Sequence, residues 1–254
     1  MVRQDDRAPF LAALQQAREA AYPPGEYVGQ ESFMRAGEIR QLARRAGIAA
    51  GVPVLDLCCG VAGPGRLIAE ELGCRYLGLD CSAGAVEIAR ELAGSLPCRF
   101  EQARVPPLPD DRFDVVLLLE TMLAFRDKRT LVGEVDRVLE PGGRSAFTVE
   151  EGPPLTPAEQ AEMPDADTVW LVELADLTAL LDDVGLAVTW QEQCSASHHA
   201  TAEALLQSFR AHAVDIGREV GAQALTELIT AHRLWSAWLG SGRVRKFAVG
   251  AEKR

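Results

Sequence analysis

Val54-Leu-Asp-Leu-Cys-Cys-Gly-Val-Ala-Gly-Pro-Gly65 joins a short apolar run to a glycine-rich turn. The apolar part, which starts at Val52, suits a strand buried on both faces. Glycines after such a strand let the backbone come close to a ligand. They also expose amide N–H groups at the start of a helix. The next apolar run ends in Asp80, 20 residues beyond Gly60. A carboxylate there can accept hydrogen bonds from both hydroxyls of a ribose. The pair describes a nucleoside-containing cofactor at the carboxyl edge of a sheet. A packing turn that holds no ligand is the plain alternative.

Two cofactor classes compete for this turn. A dinucleotide needs Gly-x-Gly-x-x-Gly, so that pyrophosphate can sit on the helix N-terminus. From Gly60 the chain reads Gly-Val-Ala-Gly-Pro-Gly. Ala62 stands at the middle glycine, and Pro64 removes one N–H. Asp56, near the strand's end, would not help hold a pyrophosphate. It suits a cofactor that carries a cationic amino acid and no phosphate.

Outward from the turn, elements alternate. Residues 66–72 read as a helix and 75–80 as a strand. Ser82 caps a helix that continues through Leu92. Residues 98–103 form a weaker strand, and 113–119 are the clearest strand in the chain. A helix over 131–139 stops at Pro141-Gly-Gly, and 144–149 form a fifth strand. Upstream, 9–21 and 32–45 read as helices. Downstream, 152–168 read as a loop, 173–184 as a helix and 186–193 as a strand. Residues 201–239 carry helical periodicity twice, and 244–251 close the chain as a strand. The expected fold is α/β: a doubly wound, mostly parallel seven-stranded sheet in a single domain over 1–254. Residues 1–50 form an N-terminal helical cap and 51–151 the cofactor-binding half. Residues 152–254 form the substrate half, with a helical lid insertion at about 200–240.

Composition narrows the partners. The formal net charge is -11, and the basic residues are scattered, with Arg243, Arg245 and Lys246 the densest run. That argues against nucleic acid as substrate. No run of about 18 uncharged apolar residues exists, so no membrane span is expected. The start, MVRQDDRAPFLAALQQ, is charged and lacks an apolar signal region. Both observations point to the cytoplasm. Lys and Arg together number 26, of which only Lys128, Lys246 and Lys253 are lysines. This ratio, with the high alanine content, suggests a GC-rich bacterial genome. The six cysteines form no C-x-x-C pair and read as reduced, buried thiols. No His/Asp/Glu cluster has metal-ligand spacing. A monomer or homodimer is expected.

The motifs in order resemble those of the class I S-adenosylmethionine-dependent methyltransferases, small-molecule type. Leu55-Asp-Leu-Cys-Cys-Gly-Val-Ala-Gly63 is similar to the family's first motif, [V/L]-L-D-x-G-x-G-x-G. Asp56 and Gly60 match it, while Cys58 and Ala62 replace two of its glycines. Leu77-Gly-Leu-Asp80-Cys81-Ser resembles the second motif. Leu108-Pro-Asp-Asp-Arg-Phe-Asp114 and Leu139-Glu-Pro-Gly-Gly143 resemble the approaches to the fourth and fifth strands. The resemblance covers 52–150. It implies S-adenosylmethionine as cofactor, S-adenosylhomocysteine as product, and Asp80 on the ribose. The family's Asp-Ala pair near the adenine is here Gln102-Ala103, and a glutamine oxygen can accept the same hydrogen bond. The resemblance puts Leu119 to Met122 along the cofactor and the substrate entrance. It also implies that Tyr27 and Gln30 lie over the cofactor. Read from residues alone, that segment is equally a helix start capped by Ser32, and Glu120 equally a helix cap.

On the substrate side, Glu150 and Glu151 end the fifth strand and could orient an amine or hydroxyl, or be solvated loop carboxylates. His198-His199 could supply a general base, or be a surface or helix-start feature. His212 and His232 rank lower, because both fall within helices. Phe209, Leu234, Trp235 and Trp238, with Trp170 and Trp190, offer apolar walls. The expected reaction is in-line methyl transfer to N or O of a small molecule, in natural-product tailoring. Two rivals stand beside it. One is a nicotinamide-dependent oxidoreductase, the other a non-catalytic or regulatory protein that binds S-adenosylmethionine.

Overall fold

The computed structural model describes residues 11–254. Seven strands form one sheet: β1 Pro53–Leu57, β2 Arg75–Asp80, β3 Cys98–Gln102, β4 Phe113–Leu118, β5 Leu139–Glu151, β6 Leu186–Gln193 and β7 Arg245–Lys253. Their order is β3-β2-β1-β4-β5-β7-β6. The first five are parallel, and β7 runs antiparallel to both β5 and β6. Among the described residues ten α-helices accompany them: α1 Ala12–Ala21, α2 Ala36–Arg45, α3 Gly63–Leu72, α4 Ala83–Ala93, α5 Lys128–Val138, α6 Pro157–Glu162, α7 Leu174–Asp183, α8 Ser195–Ala211, α9 Ala213–Val220 and α10 Ala222–Ser241.

The period of two along the strands sorts the core into two layers. Leu55 and Leu57 of β1, with Leu77, Leu79, Val116 and Leu118, pack against Leu131 and Val135 of α5 and Leu177 of α7. Val54, Tyr76, Val115 and Leu117 point the other way, onto Ile39 of α2, Ile68 of α3 and Val86 of α4. Both faces of the central strands are therefore apolar, and polar chemistry is left to the strand ends. Tight contacts fix the first turn. A Cβ on Gly65 would fall 2.1 Å from the Tyr76 hydroxyl, and one on Gly63 would fall 2.5 Å from the Val28 carbonyl.

Several expected boundaries move, each for a local reason. The helix expected over 9–21 is seen from Ala12; its first two residues lie outside the described residues. The helix expected from Ser32 starts at Ala36, where Glu38 accepts the Arg35 N–H at 2.8 Å, so Ser32 caps nothing. The segment before it is tied instead by Gln30, whose amide donates to the Glu26 and Met34 carbonyls. Strand β5 begins at Leu139, which already pairs with Phe113, before the Pro-Gly-Gly turn. The loop expected over 152–168 contains α6, held by a reciprocal Thr156–Glu159 cap. The helical insertion between β6 and β7, expected at about 200–240, begins with α8 at Ser195 and ends with α10 at Ser241. Its helix α8 packs on α1: Leu205 and Phe209 share a core with Leu14, Ala17 and Tyr22. Helices α1 and α8 thus join beside the carboxyl ends of β4 and β5. No helix among the described residues is long and apolar enough to cross a membrane.

Candidate functional site

The carboxyl ends of β1, β2 and β4 surround a cavity of about 260 Å³. Its lining includes Gln30, Asp56, Cys58, Gly60, Ala62, Asp80, Leu119 and Glu120. Asp80 is fixed there by two backbone amides, Gly60 N–H to Oδ2 at 2.8 Å and Ser82 N–H to Oδ1 at 2.9 Å. Ser82 also caps α4 through Ala85 N–H. At Gly60, with φ +55°, a Cβ would meet nothing within 4 Å. The room beside the turn is what close backbone approach to a ligand requires. Asp56 is buried and takes a hydrogen bond from the Tyr76 hydroxyl. Burial lifts its pKa to about 7, although the Tyr76 bond opposes the rise.

A second cavity of about 230 Å³ adjoins the first. The two share Gln30, Glu31, Ser32 and Glu120. Its other walls are Arg18, Tyr22, Phe33, Leu123, Glu150, Leu205, Phe209, Ala231, His232 and Trp235. These come from the N-terminal cap, from the segment after β4, from β5 and from lid helices α8 and α10. Arg18 is held by Glu31 at 2.6 Å.

Behind the shared wall lies a buried charge cluster. Lys246, 1% exposed, stands opposite Glu150 in the β5–β7 register. Its ammonium contacts Glu150 and lies 2.7 Å from Glu120 Oε1. Burial works against the charged lysine, but the two carboxylates outweigh it and keep the ammonium protonated. Burial would likewise raise Glu120, yet Lys246 and the Phe33 N–H hold it below the usual carboxylate range. Glu150 goes the other way: burial raises it, and Lys246 does not fully compensate. Glu120 sits at φ +63°, a left-handed backbone that a non-glycine residue adopts at a cost, at the corner where β4 leaves the sheet.

Not every expected residue reaches the cavities. The Tyr27 hydroxyl donates to Gln15 at 2.5 Å, and its ring lies 5.3 Å from that of Tyr22, inside the cap's own core. Cys81 is exposed, and Gln102 donates to the Cys81 carbonyl. Ala103 N–H bonds the Asp80 carbonyl at 2.8 Å. These three form the rim beyond Asp80 and do not line the cavity. Among the cysteines only Cys74 is buried, so the expectation of six buried thiols is corrected.

The histidine expectation is also corrected. His198 and His199 stand on α8 and line neither cavity. His198 is 1% exposed, 3.6 Å from Glu120 and 3.7 Å from Glu38, and burial lowers its pKa. It props Glu120 from behind. His199 packs on α10, where a Cβ on Gly240 would fall 2.7 Å from its Nε2. The histidine that does line the second cavity is His232. Its Nδ1 lies 2.8 Å from the Leu228 carbonyl, which can only accept, so Nδ1 carries the proton and Nε2 keeps its lone pair. The spacing Leu228, His232, Trp235 was the available signal, since i, i+4, i+7 share one helix face.

Of the apolar walls expected, Phe209 and Trp235 line the cavity. Leu234 and Trp238 fill the lid's core. Trp170 bonds the Asp167 carbonyl, and Trp190 lies under Arg45 at 3.8 Å. The basic run is spent internally, Arg243 on Glu159, Arg245 on Glu151 and Lys246 on the cluster.

Residues 54–143 match a family described as a methyltransferase domain. Methyltransferase GfsG of Streptomyces halstedii is 36% identical over 125 residues, covering 46% of this chain and 45% of that protein. A sterol 24-C-methyltransferase of Eremothecium gossypii is 35% identical over 132 residues, covering 49% and 35%. The chain thus spans less than half the length of either curated relative. Among solved structures, the mycolic acid cyclopropane synthase CmaA1 complexed with SAH and CTAB has a TM-score of 0.80 at 15% identity, covering 99% of this chain and 94% of that one. The [4+2]-cyclase SpnF has a TM-score of 0.77 at 19% identity, covering 97% and 93%. Both share the fold.

Proposed function

We propose that the chain, whose residues 54–143 match a methyltransferase-domain family, is a class I S-adenosylmethionine-dependent methyltransferase that transfers a methyl group to a nitrogen or oxygen atom of a small molecule. One observation carries the reading: two cavities meet at a common wall formed by Gln30, Glu31, Ser32 and Glu120. The fold by itself does not carry it, because a [4+2]-cyclase has the same fold.

The first cavity suits the cofactor. Asp80 presents a carboxylate fixed by two amides, fit to accept ribose hydroxyls. Gly60 leaves open space beside the turn. S-adenosylmethionine, when bound, supplies a sulfonium methyl that is already a strong electrophile. The chain's own task is then to hold a nucleophile in line and to exclude water. The cap–lid contact between α1 and α8 supports the second requirement. The apolar walls of the second cavity support a small molecule with an apolar body. Glu150 is the residue in that cavity suited to orient its nucleophile.

The test is titration calorimetry of the purified protein against S-adenosylhomocysteine, with NAD and NADP in parallel. Micromolar binding of S-adenosylhomocysteine alone is the expected result. Preference for a dinucleotide would replace this reading with an oxidoreductase.

A further inference from the structure

We propose that the second cavity takes its substrate as an amine, bound in the ammonium form, with Glu150 as the group that receives the N–H. This rests on the assignment of the two cavities above and narrows the nucleophile to nitrogen. Glu150 is 5% exposed and lines only the second cavity. Its Oε1 is engaged by Lys246, while Oε2 is buried with no hydrogen-bond partner. A buried carboxylate oxygen without a donor is costly, and this one belongs to a side chain that lines the chamber. The missing donor is what a substrate can bring.

Charge selects among donors. Glu120 and Glu150 share one cation, Lys246, so the cluster carries a surplus negative charge when both carboxylates are ionised. The other groups facing the chamber do not neutralise it. Arg18 is held by Glu31, His232 is kept neutral by burial, and Tyr22 donates to the Ser32 carbonyl. His198, behind Glu120, is also disfavoured as a cation by burial. An ammonium offers both the hydrogen-bond donor and the compensating charge. An alcohol offers only the donor, and a carboxylate offers neither. Phe33, Phe209 and Trp235 add rings that suit an apolar body, and a ring face attracts an organic cation. Burial raises Glu150 above the ordinary carboxylate range. Oε2 is the atom placed to receive the ammonium's proton, which would leave the nitrogen with a free lone pair.

The experiment compares three probes of one shape: 2-phenylethylamine, 2-phenylethanol and phenylacetate. Each is titrated into the full-length protein at pH 7.5, with and without saturating S-adenosylhomocysteine. The amine should bind at least tenfold more tightly than the alcohol, and phenylacetate more weakly than both. Glu150→Gln should bring the amine down to the level of the alcohol. Equal affinity for amine and alcohol, preference for phenylacetate, or no binding of any probe at 10 mM would overturn the proposal. The probe series on the unaltered protein decides the matter even if Glu150→Gln fails to fold. An amine preference without S-adenosylhomocysteine binding would sink only the cofactor reading. S-adenosylhomocysteine binding without an amine preference would sink only this one.

Discussion

The carboxylate of Asp80 accepts the backbone N–H of Gly60 at 2.8 Å, which ties the end of β2 to the turn after β1. The residue expected to hold the ribose therefore also shapes the loop around it. Asp80→Ala removes both roles. Affinity for S-adenosylhomocysteine should fall by about 1–3 kcal/mol, the range for losing a charged hydrogen bond. Gly60→Val fills the open space at the turn with a β-branched side chain at φ +55° and should abolish binding. Calorimetry on folded variants checks both. Unchanged affinity in Asp80→Ala would remove that residue from the site.

Cys58 and Ala62 adopt left-handed backbone, with φ +60° and +56°. A side chain there costs about 1–2 kcal/mol relative to an unstrained conformation. Ala62→Gly releases that strain, offset in part by the entropy glycine loses on folding. The variant should melt at the same temperature or a few degrees higher, by calorimetric scan. A clear fall in melting temperature would mean the Ala62 methyl packs well enough to outweigh the strain.

These two positions show why the sheet half was legible from sequence. β1 and β2 are apolar on both faces, and Gly63 and Gly65 are demanded by contacts local to the same motif. Asp80 and its distance from the turn follow from one βαβ unit. The residues missed depend on contacts far apart in the chain. Lys246 meets Glu150 only because β7 inserts antiparallel beside β5, a register that no local pattern encodes. His198 looked available because its helix was placed six residues too late. With α8 starting at Ser195, its ring turns inward to Glu120. Tyr27 resembled a cofactor cover, but Gln15 of α1 was in reach of its hydroxyl.

Lys246 and Arg245 are neighbours in sequence with unequal energetic weight. Arg245 is half exposed and donates two hydrogen bonds to the buried Glu151, whereas Lys246 is itself buried between two carboxylates. Replacing Arg245 by alanine takes the bidentate donor from a buried carboxylate and should cost about 1–3 kcal/mol. Lys246→Met leaves Glu120 and Glu150 buried together without a cation. The loss should reach about 3–5 kcal/mol at pH 7, as for removing one partner of a buried ion pair. Urea unfolding of both variants measures the contrast. Similar losses for the two would mean that water reaches the cluster.

His232 makes the pH dependence specific. Its imidazole lies between Phe33 and Phe209, with ring centroids at 5.9 Å and 4.8 Å. Burial lowers its pKa to about 4, with the Leu228 carbonyl opposing. An unfolded imidazole takes up its proton near pH 6.5. The folded value lies below the unfolded one, so the unfolded chain binds more protons between the two. The stability that His232 contributes is present above about pH 6.5 and is lost as pH falls toward 4. Linkage sets that loss at about 1–2 kcal/mol between pH 7 and pH 5. His232→Gln keeps a polar group in the chamber and should flatten this part of the stability profile. Nitrogen-15 spectra of the native protein should find His232 neutral at pH 5.5, protonated at Nδ1 and bare at Nε2. A cationic His232 at that pH would place a positive charge in the second cavity, and the chamber would then suit an anionic substrate.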